Sequence, residues 1–155
     1  MTKSKIIINN ERNLASVQIA MVKQSWAKVL PITDVASCLF YDRLFELHPE
    51  LRSMFNLGNI TSQRKNLVKA ISMVVVSLER IDTLIPTISD LGRRHQGYGV
   101  EDQHYDQVAD ALLWMLETVL GDDWSEDIKA AWTSAYQLLA SVMIEGARQR
   151  SSNAA

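Results

Sequence analysis

The chain has 155 residues, 47% of them apolar, and carries a formal net charge of −2 with a sequence pI near 5.9. That is one domain with enough apolar material for a proper core and no room for a second catalytic domain. The basic residues are scattered, so the electrostatic footprint of a nucleic-acid-binding surface is missing. Cys38, the single cysteine, excludes an internal disulfide framework and a cluster held by four thiolates, and reads as a small core residue.

A reducing, cytoplasmic location is the expectation. The run Ile6 to Ile8 is too short for the apolar centre of a secretory signal, and no stretch approaches the ~20 apolar residues of a membrane-spanning helix.

Three prolines and six glycines are read as falling between periodic segments, which divides the chain into long helices with short connections. No strand alternation is present, so the fold class is all-α. Residues 1–11 and 148–155 lack periodicity and are expected to be loose tails, leaving a single domain over 12–147.

The first helix is predicted from Val17 to Leu30, with Ser16 as its cap, Ile19, Val22, Trp26 and Val29 facing inward, and Pro31 ending it. The second covers Asp34 to Leu47, where Cys38, Tyr41 and Phe45 share a face, and Pro49 begins a short turn reaching Phe55. After a connection over Asn56 to Ile60, a helix capped by Thr61 or Ser62 is predicted to run to about Ile81, with Gln63, Leu67, Ile71, Val74 and Leu78 inward. The next helix tolerates Pro86 in its first turn and exits sharply at Gly97 and Gly99. Two more follow, over Asp102 to Leu120, closed by Gly121, and over Ser125 to Ala147, with Ile128, Trp132, Ala135, Leu139 and Val142 on one side.

Chemistry enters at His95. Leu84, Ile88, Leu91, His95 and Tyr98 recur at a spacing of three and four, which places all five on one helix face. An imidazole at the end of such a stripe can hold a metal, although a histidine there is more often an ordinary core residue.

The other elements supply company for it. Leu39-Phe40-Tyr41, His48-Pro49, Phe55, Ser62-Gln63, Leu67, Leu91-Gly92-Arg93-Arg94-His95 and the Trp132 helix stand in an order and at separations that resemble a globin. The resemblance runs from about Val17 to about Ile144. It is strongest to bacterial single-domain haemoglobins similar to the haem domain of flavohaemoglobins, and more distant to neuroglobin.

The resemblance implies a three-over-three helical sandwich around haem b, with His95 as the proximal iron ligand. It implies a distal pocket of Tyr41 and Gln63 with Phe40, Phe55 and Leu67 keeping it dry, and proximal support from Tyr105, Leu91 and Val100. Dioxygen on ferrous haem draws electron density and accepts hydrogen bonds far better than carbon monoxide does. A Tyr41 hydroxyl and a Gln63 amide would each contribute ~1.5 to 3 kcal/mol, together strengthening binding by roughly a hundredfold or more. Read without that register, Tyr41 is more readily a core tyrosine whose hydroxyl bonds a backbone carbonyl, with Gln63 facing solvent.

Glutamine is a poor iron ligand, so Gln63 leaves the sixth position open. Tyr41 could coordinate ferric iron only in an alkaline form. In flavohaemoglobin-like proteins a tyrosine matching Tyr105 and a glutamate on the last helix orient the proximal imidazole. The matching residue here is Ala147, and Glu145 lies about 200° away around the helix, so that set is incomplete. Arg64, Lys65 and Arg94 could approach the haem propionates, though such charges are usually just solvated. His48 reads as a surface or capping residue and His104 as a solvated helix-start residue.

Reversible oxygen binding is the function so implied, with nitric oxide or carbon monoxide as further gas ligands. The alternative is nitric oxide dioxygenase, which would need a separate reductase because no flavin or nicotinamide domain is read within these residues. A sensor module ranks third, since no output domain is read. The oligomeric expectation is a monomer or a weak homodimer, without nucleic-acid or membrane partners.

Overall fold

A computed structural model describes residues 14–55 and 57–154, and among them every regular element is helical. The expected N-terminal tail, 1–11, lies outside the described residues. Helix α1 spans Ser16–Val29 and is joined through a 3-10 turn, Leu30–Ile32, to α2, Thr33–Leu47. Short 3-10 segments Pro49–Met54 and Leu57–Asn59 lead to α3, Ile60–Val76. A 3-10 stretch, Leu78–Leu84, precedes α4, Ile85–Gly97; then come α5, Asp102–Leu120, and α6, Glu126–Ala154.

Helices α1, α3 and α4 form one layer across α2, α5 and α6, the three-over-three arrangement expected. The main core is built where α1 and α2 meet α5 and α6, from Val22, Trp26, Val29, Leu44, Met115, Leu116 and Trp132. The Trp26 and Trp132 rings pack edge to face at 6.0 Å. Their indole N–H groups are both satisfied, Trp132 Nε1 donating to Ser25 Oγ at 2.8 Å and Trp26 Nε1 to Ser72 Oγ at 3.0 Å. A smaller cluster of Ile81, Ile88, Leu138 and Met143 lies under α4.

Several local expectations are corrected. Ser16 is the first residue of α1 rather than its cap; Ala15 takes that place without a side-chain bond. Asn59, not Thr61 or Ser62, precedes α3. The single helix predicted to Ile81 stops at Val76, because the β-branched run Val74-Val75-Val76 disfavours continuation. The chain then tightens to three residues per turn, which puts Leu78, Ile81 and Leu84 on one face and buries the first two. Arg80 (φ −130°, ψ 39°) marks the kink.

The glycines are not all between helices. Gly92 and Gly146 lie inside α4 and α6. The C-terminal tail expected to be loose from residue 148 continues α6 to Ala154. No proline or glycine interrupts it, and Arg148 reaches Asp102 at the start of α5, at 3.2 Å.

Candidate functional site

Tyr41 is carried on α2 and is 7% exposed, set among aromatic rings. Its ring centroid lies 4.9 Å from Phe40, 5.5 Å from Phe55 and 6.0 Å from Phe45, and Phe45 and Phe55 are 5.4 Å apart. Phe55 reaches this group because the Pro49–Met54 turn ends on it in an extended conformation. Burial pushes the Tyr41 phenol up to about 12, so it is a neutral hydrogen-bond donor at ordinary pH.

The Tyr41 hydroxyl donates to the backbone carbonyl of Gln63 at 3.5 Å. That is well beyond the ~2.8 Å usual between oxygens, so the bond is weak. The hydroxyl thus bonds a backbone carbonyl, as the reading without the globin register expected, and that carbonyl belongs to Gln63. The Gln63 side chain does not face solvent, since its Oε1 is buried. Leu67, one turn along α3, is half-buried against the core.

On the other side stands His95, half-buried near the end of α4. Its Nδ1 lies 2.8 Å from the Leu91 carbonyl one turn back, a bond that carries the ring proton on Nδ1 and leaves a lone pair on Nε2. The chain turns immediately afterwards, with the Val100 N–H donating to the His95 carbonyl at 3.1 Å and Gly99 at φ +89°. Only glycine takes that backbone conformation cheaply. Tyr98 is 69% exposed beside it, its ring centroid 6.3 Å from that of His95.

Leu91 and Tyr105 pack on the small cluster beneath α4. The bond recorded for His95 Nδ1 goes to Leu91, not to the Tyr105 hydroxyl. Tyr105 is held instead through its backbone carbonyl, which accepts a 2.7 Å bond from the buried Tyr136 hydroxyl. Burial raises both phenols, helped at Tyr105 by Asp102 and at Tyr136 by Tyr105 and Asp106. Glu145 is exposed.

Helices α3 and α4 pack only sparsely on each other, each being held by other elements. Arg64 on α3 has its Nε buried without a hydrogen-bond partner among the described residues. Lys65 is exposed and Arg94 pairs with Asp90 at 3.7 Å. His48 ends α2, 3.6 Å from Glu50. His104 does more than sit in solvent: its Nδ1 accepts the Glu101 N–H at 2.8 Å, completing a reciprocal cap of α5.

Phe45, Tyr136, Gly92 and Gly146 make contacts here that periodicity alone does not display. Phe45 was placed on the right face of α2 without a role in the ring cluster. Tyr136 and Gly146 carry no sequence signal of chemistry and Gly92 stands only within the Leu91 to His95 block, although a glycine inside a helical pattern is itself a signal of close packing.

Comparison with known proteins agrees with this architecture. The chain is 36% identical over 107 residues to the flavohemoprotein of Bacillus subtilis, which is 68% of this chain and 27% of that protein. It spans about a quarter of the length of the curated relatives it matches. An engineered carbene transferase from Rhodothermus marinus, provisionally described as a nitric oxide dioxygenase, superposes with a TM-score of 0.81 at 27% identity, covering 92% of this chain and 99% of that one. A bacterial globin from Campylobacter jejuni superposes with a TM-score of 0.76 at 26% identity, covering 89% and 99%. The family model described as Globin matches residues 39–143, two thirds of the sequence, and the chain belongs to the globin family.

Proposed function

We propose that the chain binds a b-type haem between α3 and α4, with His95 as its axial ligand, and takes up dioxygen reversibly. The observation that carries this reading is the His95 Nδ1 bond to the Leu91 carbonyl, which presents Nε2 as the coordinating atom. Among the described residues no three His, Cys, Asp or Glu side chains gather as a metal site. A metal at His95 must therefore bring most of its ligands with it, as a porphyrin does.

The surroundings fit such a group. The half-buried Leu67, Phe55 and Leu91 offer apolar contact, and Val100 stands half-buried at the turn after α4. The unpartnered Arg64 Nε matches a carboxylate such as a haem propionate. When bound, ferrous haem supplies an open coordination position for a diatomic gas.

The remaining work falls to the protein. The Phe40, Phe45 and Phe55 rings exclude water from the Tyr41 hydroxyl. Because the resting bond to the Gln63 carbonyl is long, that hydroxyl loses little by turning to a partly negative guest. Gln63 would act as a second donor, its side chain being partly withdrawn from solvent. Tight dioxygen binding follows, tested by measuring the dissociation rate of the ferrous protein. Release as fast from a Tyr41→Phe variant as from the parent would sink the donor role.

A second reading is nitric oxide dioxygenase, favoured by the flavohemoprotein and Rhodothermus marinus relatives. Each turnover would convert one nitric oxide and one dioxygen to one nitrate at the expense of one electron, delivered by a separate reductase. Sustained nitric oxide consumption with a reductase supports the enzyme; a single stoichiometric burst supports the binder.

A further inference from the structure

Helix α4, which carries His95, rests chiefly on α6, with a lesser contact to the Leu78–Leu84 turn. Its buried residues are Ile88 and Gly92. Besides the side-chain packing of Ile88 with Leu138 and Met143, the contact with α6 is main chain on main chain at two glycines. A Cβ at Gly92 would collide with the Met143 carbonyl oxygen and stand 2.6 Å from the Met143 carbonyl carbon and Cα. A Cβ at Gly146 would stand 2.5 Å from the Ser89 carbonyl oxygen and 2.7 Å from its Cα. The contact is reciprocal. Ser89 meets Gly146 and, one turn on, Gly92 meets Met143, so the two helices pass each other in opposite senses with a glycine on each side. His95 follows one turn beyond Gly92.

Neither neighbour can yield, because both are backbone rather than the end of a flexible side chain. Ordinary van der Waals separation is about 3.5–4.0 Å, so one added methyl group must push the helices apart by about 1 Å. Gly97, two residues after His95, has nothing within 4 Å of a Cβ. The tight fit is therefore confined to the side of α4 that faces α6.

We infer that the reciprocal contact of Gly92 with Met143 and of Gly146 with Ser89 is the positioning device of the site. It sets how far α4 stands from α6, and thereby where the His95 Nε2 is held in the cleft. This rests on the reading of His95 as the axial ligand. Gly92 and Gly146 are positioning residues that touch neither gas nor haem. The close approach also explains two glycines in helix interiors, where glycine is less favourable than alanine.

The test compares Gly92→Ala and Gly146→Ala with the control Gly97→Ala in the haem-loaded protein. Two quantities are read: the iron–histidine stretching band of the ferrous form by resonance Raman, and the rate of haem loss to an excess of acceptor apoprotein. Both inner variants are expected to move the band to lower wavenumber and to lose haem roughly tenfold faster, the low end of what groups orienting a metal ligand contribute. Gly97→Ala should match the parent in both.

A parent protein without an iron–histidine band would overturn the reading of His95 itself. A normal parent band that neither inner variant moves, with haem loss unchanged, would overturn this inference alone. Gly146→Ala collides less deeply and carries the test if Gly92→Ala does not fold. Amide hydrogen exchange on the unaltered haem-loaded protein adds a check without variants: α4 and α6 should open together, and α4 opening while α6 stays protected would overturn the inference.

Discussion

The two walls of the site are built by different means. The wall around Tyr41 is made of side chains, four aromatic rings meeting at centroid separations of 4.9 to 6.0 Å, with one long hydrogen bond reaching α3. The wall around His95 is made of backbone, α4 lying on α6 through two glycines and the imidazole bonded to its own helix. Side chains can be exchanged without moving helices, whereas a main-chain contact cannot be altered without moving them. On the proposed reading, the wall that would face the gas is thus free to vary in chemistry, and the wall that would carry the iron ligand is held in place.

The sharpest way to break that comparison is His95→Ala. It should abolish stable haem retention, accelerating haem loss by more than about a hundredfold, beyond what outer partners of a metal ligand contribute. Firm retention, measured by transfer to an acceptor apoprotein, would show that the imidazole is not the anchor.

Tyr41→Phe should come next in size. Losing a donor to a partly charged guest worth about 1.5–3 kcal/mol should speed dioxygen release by about tenfold to a hundredfold while leaving the helical content intact. Stopped-flow release and circular dichroism would measure the two halves of that statement.

A smaller effect is expected from alkali. The folded protein holds the Tyr41 phenol at about 12 and the Tyr136 phenol higher still, against 10.0 for an ordinary tyrosine. Between those values the unfolded chain releases protons that the folded chain retains, so stability present below pH 10 should fall as pH rises through that window. Tyr136→Phe removes one of the three raised phenols, Tyr41, Tyr105 and Tyr136, and should flatten the decline in urea titrations at pH 9 to 11, whereas an unchanged slope would assign it to other groups.

Least should come from Glu79→Gln. Its carboxylate meets Lys23 at 2.6 Å and ties the turn before α4 to α1, but the two side chains are 60% and 33% exposed. Its loss should cost no more than about 0.5 kcal/mol in urea unfolding. A larger loss would mean that side-chain ties, and not only the glycine contact, hold the ligand-bearing wall.

Much of the architecture was legible in the residues. The stripe Val22–Trp26–Val29 is buried as its spacing required, and of the face predicted for the last helix Trp132 and Ala135 are buried while Ile128, Leu139 and Val142 are half-buried. Pro86 sits in the first turn of α4 and Gly121 closes α5, each for the local backbone reason that made it readable. The break after Val76 was not legible, because a 3.6-residue pattern and a 3.0-residue pattern agree over one turn and diverge only where Leu78 and Ile81 must both be buried. His104 looked solvated because a capping bond depends on backbone geometry that spacing does not display.

What the order of residues determined alone is periodicity and type: six long helices without strands, an imidazole ending one apolar stripe, a tyrosine and a glutamine on two others. These follow from local propensity and from the period at which apolar side chains recur. Only the tertiary structure decided which stripes face which. It brought the Tyr41 hydroxyl to the Gln63 carbonyl and left α3 and α4 apart. It also turned Gly92 and Gly146 from apparent punctuation into the closest helix approach among the glycine contacts. Such contacts join residues far apart in the chain, and their distances depend on how whole helices pack, which no local pattern encodes.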